Sequence, residues 1–147
     1  MSAVTKILCA VDLSEPSRLA MTEAAELARR FKAELTLLHV LPDPLSITGD
    51  VISAQSALAE PTLREVEKSL EVWRAAAAQL SEVPVKAEVL RDRNPAEEIV
   101  RFARQGHYDL IVVATHGRTG VKRLFLGSVA ERVVREAHCK VLVVRRS

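Results

Sequence analysis

Leu110-Ile-Val-Val-Ala-Thr-His-Gly-Arg-Thr-Gly-Val-Lys-Arg-Leu-Phe-Leu-Gly-Ser128 is the stretch on which the fold of this chain turns. Its apolar opening, ending at Ala114, is too continuously hydrophobic for a half-exposed strand and fits one buried on both faces. The run breaks into a glycine-punctuated basic loop and re-enters a helix-like pattern at Gly127 and Ser128. Strand, loop and helix in that order place Thr115, His116 and Gly117 on the carboxyl edge of a sheet, opposite helix amides that attract anions. The stretch reads as a phosphate cradle.

Four further apolar runs flank it and predict strands at Lys6 to Val11, Glu34 to Val40, Val85 to Leu90 and Val141 to Val144, beside Leu110 to Ala114. Helical patterns alternate with them. After a Ser14 cap and Pro16 in the first turn, Ala20, Ala24, Leu27, Ala28 and Phe31 recur on one face. Leu63, Val66, Leu70, Trp73, Ala77 and Leu80 step by three and four along a long amphipathic helix that Pro84 stops. Asn94-Pro-Ala-Glu97 has the form of a capping box, leading into Ala96, Ile99, Val100 and Ala103, and a last helix carries Ala130, Val133, Val134 and Ala137. Strand followed by helix, repeated, predicts right-handed crossovers and a doubly wound α/β layer structure. The one irregular stretch is Leu41 to Glu60, with Pro42, Pro44 and Gly49; a lid, a subunit contact and a mobile insertion all fit it.

Composition narrows the function classes. The 147 residues suit one domain with a core of Val, Leu, Ile and Ala, since aromatics are only 3% of the chain. A net charge of +2 gives little whole-molecule attraction for nucleic acid or anionic lipid, so neither is expected as a partner. No apolar stretch approaches the ~20 residues a bilayer requires. Met1 to Val11 has no basic leader or cleavage site, and Cys9 and Cys139 form no CxxC pair; a cytoplasmic protein with reduced, buried thiols is the expectation.

In an open parallel sheet, ligands bind beyond the carboxyl ends of the strands where the strand order reverses. The first strand closes there on Cys9-Ala-Val-Asp12 without a GxGxxG turn, and the chain contains no GxxxxGK[ST] loop. Phosphate recognition then falls to the loop after the fourth strand. That loop spaces Gly117 and Gly127 by nine residues and ends in Ser128.

At this point the chain resembles the ATP-binding branch of the universal stress protein family, whose motif is G-x-x-G, nine residues, then G followed by Ser or Thr. The resemblance spans the chain, from Asp12 through Leu38-His39-Val40 and Asn94-Pro95 to the closing Val141-Leu-Val-Val144. Two positions depart: the family's first glycine is Ala114, and Arg93 stands where relatives often carry glycine. The resemblance implies one universal stress protein domain over 1–147, with the irregular segment 41–60 inside it. It also implies a Rossmann-like, adenine nucleotide alpha hydrolase-like fold: a five-stranded parallel sheet of order 3-2-1-4-5 with helices on both faces. It implies that Ala10, Val11 and Asp12 lie beside the nucleoside, Val40 at adenine, and Val113 and Ala114 against the ribose. Gly117, Gly127, Ser128, Val129 and Ala130 would surround the triphosphate through backbone amides, with Mg²⁺ held mainly by the phosphates.

Structural roles compete for the same residues. Ser128-Val-Ala-Glu131 also matches a plain capping box, Asp12 suits the amino end of the first helix, and Arg118, Lys122 and Arg123 suit a basic surface loop. His116 lacks an assignable partner for catalysis, Trp73 fits packing, Gly120 lies outside the motif spacing, and Arg145-Arg146 is too short for a nucleic-acid patch. Three functions follow from these residues. The first is an ATP-binding protein that signals in the stress response. The second, kept open by Ala114, is a nucleotide-independent interaction module, dimeric through Val141 to Val144. The third is a slow ATPase, or a protein phosphorylating itself on Thr115 or Ser128 with no base beyond Asp12 or His116; no catalytic residue is assigned.

Overall fold

The computed structural model describes residues 3–42, 62–116 and 126–145. Five parallel strands, β1 (Lys6–Ala10), β2 (Glu34–Pro42), β3 (Val85–Asp92), β4 (Leu110–Ala114) and β5 (Lys140–Val144), form one sheet in the order β3-β2-β1-β4-β5. Four helices connect them: α1 (Glu15–Phe31), α2 (Leu63–Ser81), α3 (Pro95–Gln105) and α4 (Ser128–Glu136). Strand order and layers are those expected.

The continuous apolar runs of the three central strands, β1, β2 and β4, alternate their side chains between two covered faces. The edge strands β3 and β5 are only partly buried, contrary to the reading of every run as too hydrophobic for a half-exposed strand. Ile7, Cys9, Leu35, Leu37 and Val112 pack with Ala20, Ala24 and Ala28 of α1 and with Leu70, Trp73 and Ala77 of α2. Leu8, Leu38, Ile111 and Val113 face the other way, onto Ala96, Ile99 and Ala103 of α3 and Ala130 and Val133 of α4. Trp73 is a core residue, with the Arg18 guanidinium 5.2 Å from its ring centre. Alanines dominate the helix faces, and small side chains let a helix lie close on the sheet.

The expected helix faces run too far at their ends. Phe31, Leu63, Leu80 and Val134 are exposed. All four lie in terminal turns of their helices, where the periodicity continues but the packing partner does not. The second strand is longer than expected, since Leu41 and Pro42 pair with Arg91 and Asp92 and so belong to β2; the rest of the irregular segment, 43–60, lies outside the described residues. Cys9 is fully buried, and burial pushes its thiol well above the ordinary range. Cys139 is only partly buried, contrary to the sequence reading, because β5 is an edge strand beside it.

The caps follow local chemistry. Ser14 caps α1 by accepting from Ser17 N, and Asn94 caps α3 by accepting from Glu97 N at 3.2 Å. The Asn94 box is half made, since the Glu97 carboxylate accepts from Arg132 of α4 at 2.6 Å. A complete box sits instead on α2, between Thr62 and Glu65.

Candidate functional site

The strand order reverses between β1 and β4: α1 carries the chain from β1 to β2 on one side, while β4 lies on the other. Helices leaving these strands on opposite faces cannot both cover the carboxyl ends, so a crevice is left between them. A cavity of about 410 Å³ opens there. Ala10, Val11 and Asp12 line it from the exit of β1, Val40 from β2, and Val113 and Ala114 from β4. Gly127, Ser128, Val129 and Ala130 line it from the start of α4. Gly117 and the basic positions Arg118, Lys122 and Arg123, with Gly120, fall outside the described residues.

The β1 exit is held by polar contacts that repeat within six residues. Asp12 Oδ1 accepts from Ser14 N at 3.0 Å and from Ser14 Oγ, Asp12 N donates to Ser17 Oγ at 3.3 Å, and Ser17 Oγ donates to Ser14 O at 3.1 Å. Asp12 therefore serves the helix amino end, as its structural reading expects, and also forms part of the cavity wall. The turn has no glycine; Leu13 itself takes φ 66°, a left-handed conformation that costs a non-glycine residue of order 1 kcal/mol or more. Sequence patterning does not reveal that a leucine occupies this conformation.

At the opposite wall, the cap of α4 is Gly127, with φ −62° and ψ 161°, and Ser128 is the first helical residue. The Ser128-to-Glu131 capping box is thereby excluded; no side-chain cap bond forms, and Glu131 N bonds Gly127 O at 2.9 Å. The cap shifts by one residue because Gly127 N donates to Thr115 O at 2.6 Å, tying α4 to the end of β4. A Cβ on residue 127 would stand 3.0 Å from that carbonyl and 3.4 Å from His116 Cα, so any larger residue there would push α4 away from the end of β4 by a few tenths of an ångström. The Gly127 amide is thus occupied, whereas the amides of Ser128, Val129 and Ala130 precede the first intrahelical bond of α4, and these three residues line the cavity. Nearby, His116 lines the cavity, and its Nε2 is buried with no hydrogen-bond partner among the described residues.

Several lining residues were not among those expected: Ser17, His39, Val66, Pro95 and Ile99. His39 is buried, and its Nδ1 lies 2.8 Å from Val11 O. Its partner is 28 residues away, so the only signal in the sequence is an imidazole at the end of a buried strand. Behind Pro95 and Ile99, desolvation and a hydrogen bond to Asp92 raise the Glu98 carboxyl above its ordinary range. The Asn94 amide, with the Glu98 bond, lowers Asp92. Among the described residues no three His, Cys, Asp or Glu side chains cluster as a metal site, and no helix is long and apolar enough to cross a membrane.

An open parallel sheet with a ligand-sized crevice at its reversal point places the chain among the Rossmann-like α/β proteins. More narrowly, it belongs to the universal stress protein family, whose model matches residues 3–145. A universal stress protein of Methanocaldococcus jannaschii is 36% identical over 96% of this chain and 82% of its own length. Universal stress protein UspA from Lactobacillus plantarum superposes with a TM-score of 0.84 at 29% identity, covering 99% of this chain and all of its own. The universal stress protein from Archaeoglobus fulgidus, solved in complex with dAMP, shares the fold at 22% identity and a TM-score of 0.68, covering 97% and 98% of the two chains.

Proposed function

We propose that this protein binds an adenine nucleotide, ATP with Mg²⁺, in the crevice between β1 and β4, and acts as a nucleotide-responsive protein of the cytoplasmic stress response. One observation carries the reading: Ser128, Val129 and Ala130, the first turn of α4, line the same cavity as Asp12 and Val40. A polyanion and a nucleoside thus have separate walls within one crevice. Its volume of about 410 Å³ is in the range of small-molecule sites, and the glycine at 127 keeps the phosphate wall close to β4. The dAMP bound by the Archaeoglobus fulgidus relative supports the same ligand class. In this reading Ala10, Val11 and Asp12 lie beside the nucleoside, Val40 at the base, Val113 and Ala114 at the ribose, and Gly117 with residues 127–130 around the phosphates. The phosphates themselves hold Mg²⁺. Isothermal titration of the purified chain with MgATP is expected to show saturable one-site heat; no heat at millimolar nucleotide overturns the reading.

A second reading concerns assembly. β5 is an edge strand, and each of Val141 to Val144 is only half-buried. An apolar edge left open is a template for another chain, and a homodimer through β5 covers it. Sedimentation is expected to give a dimer that Val143→Lys dissociates; a wild-type monomer at micromolar concentration removes this reading and leaves the nucleotide site untouched.

A further inference from the structure

The Val11 peptide is pinned to β2 from both sides. Its N–H donates to Leu38 O at 2.9 Å, and its carbonyl lies 2.8 Å from His39 Nδ1. A carbonyl only accepts, so His39 Nδ1 carries the proton and donates it, which assigns the side of the imidazole that must be protonated. The next residue, Asp12, stands on the nucleoside wall, and the residue after His39 is Val40, on the base wall. The imidazole therefore joins two parallel strands at the level where each enters the crevice. Its bond is buried, and an unmatched carbonyl left there by a non-donor is costly. The α4 wall lies across the crevice on β4 and shares none of these bonds.

We propose that His39 is a positioning residue for the nucleoside half of the ligand: its Nδ1–H, given to Val11 O, sets the separation of Asp12 from Val40. The proposal rests on the adenine-nucleotide reading above. It assigns the function to one nitrogen. Asparagine presents an amide nitrogen close to the place of Nδ1, glutamine presents one close to the place of Nε2, and leucine keeps most of the volume with neither.

The test compares wild type with His39→Asn, His39→Gln and His39→Leu by isothermal titration with MgATP, each well below its own melting temperature so that a change in stability alone does not move Kd. Asn is expected to stay within about threefold of wild type, while Gln and Leu weaken binding roughly tenfold or more, about 1.4 kcal/mol. Long-range ¹H–¹⁵N spectra of the ligand-free wild type should show a proton on Nδ1 of His39. Unchanged binding in His39→Leu, rescue by Gln and not by Asn, or a ring protonated on Nε2 alone overturns the proposal. If His39→Leu does not fold, the Asn and Gln pair decides the matter by the same criteria. Absence of MgATP binding in wild type fells the nucleotide reading itself, which the variants' failure does not.

Discussion

At the amino edge of the sheet, Asp109 Oδ2 accepts from Thr5 N at 2.7 Å, Thr5 Oγ1 at 2.6 Å and Lys6 N at 2.8 Å. Lys6 Nζ donates to Gly106 O at 2.6 Å and lies 4.6 Å from the centre of the Tyr108 ring, whose buried hydroxyl donates to Thr36 Oγ1 at 2.8 Å. At the carboxyl edge, built from the other ends of the same strands, the three leading amides of α4 and His116 Nε2 are not spent on bonds among the described residues. Leu13 there also holds a left-handed φ. The contrast teaches where each role sits. Polar groups at the amino edge are used up in tying β1 to β4, and such groups stabilise the fold. Polar groups held unspent at the carboxyl edge cost stability unless something else meets them, as in ligand sites.

The contrast breaks if stability and binding do not separate by edge. Gly127→Val should have the largest effect: its side chain collides with the Thr115 carbonyl, so MgATP affinity falls roughly tenfold or more. The forced shift also costs about 1–3 kcal/mol in denaturant unfolding, with the circular dichroism spectrum retained. At the other edge, Tyr108→Phe strands the Thr36 hydroxyl and should cost about 1–2 kcal/mol while leaving MgATP affinity unchanged. An affinity change there would show that the two edges are coupled.

Acid titration sharpens the same division. The hydrogen bonds from Thr5, side chain first and backbone second, hold the Asp109 carboxyl below its ordinary range. A depressed folded-state value means that its stabilisation is present above the unfolded value of about 3.9 and is lost as pH falls through the folded one. The melting temperature of wild type should therefore drop below about pH 4, and Asp109→Asn should flatten that drop. The smallest effect is expected at the β4 wall of the crevice. Ala114→Gly removes a methyl from the crevice lining and restores the family's glycine, and titration should find MgATP bound about two- to fivefold more tightly.

Most of the architecture is legible in the sequence because its determinants are local. A run such as Leu110 to Ala114 reads as a doubly buried strand wherever it occurs, and Ser14 and Asn94 cap helices through residues three positions away. The candidate site is partly legible for the same reason: Asp12 and the Gly127-Ser128 junction stand at element boundaries. Where reading fails, the deciding partner is remote. Gly127 displaces Ser128 as the cap because Thr115 O meets its amide, and the terminal apolar positions Phe31 and Leu80 are exposed because the helices outlast their packing surface.

Five strands alternating with capped helices, a parallel sheet, and a family motif at the end of β4 are thus fixed by the chain alone, because they depend on neighbours within a turn or a strand. Only the tertiary structure decided which groups share the crevice. It set His39 against Val11, left Leu13 in a left-handed turn, and brought the start of α4 across from Asp12. The reason is geometric: hydrogen-bond partners and cavity walls are fixed by strand order and register, and periodicity along one segment carries no information about either.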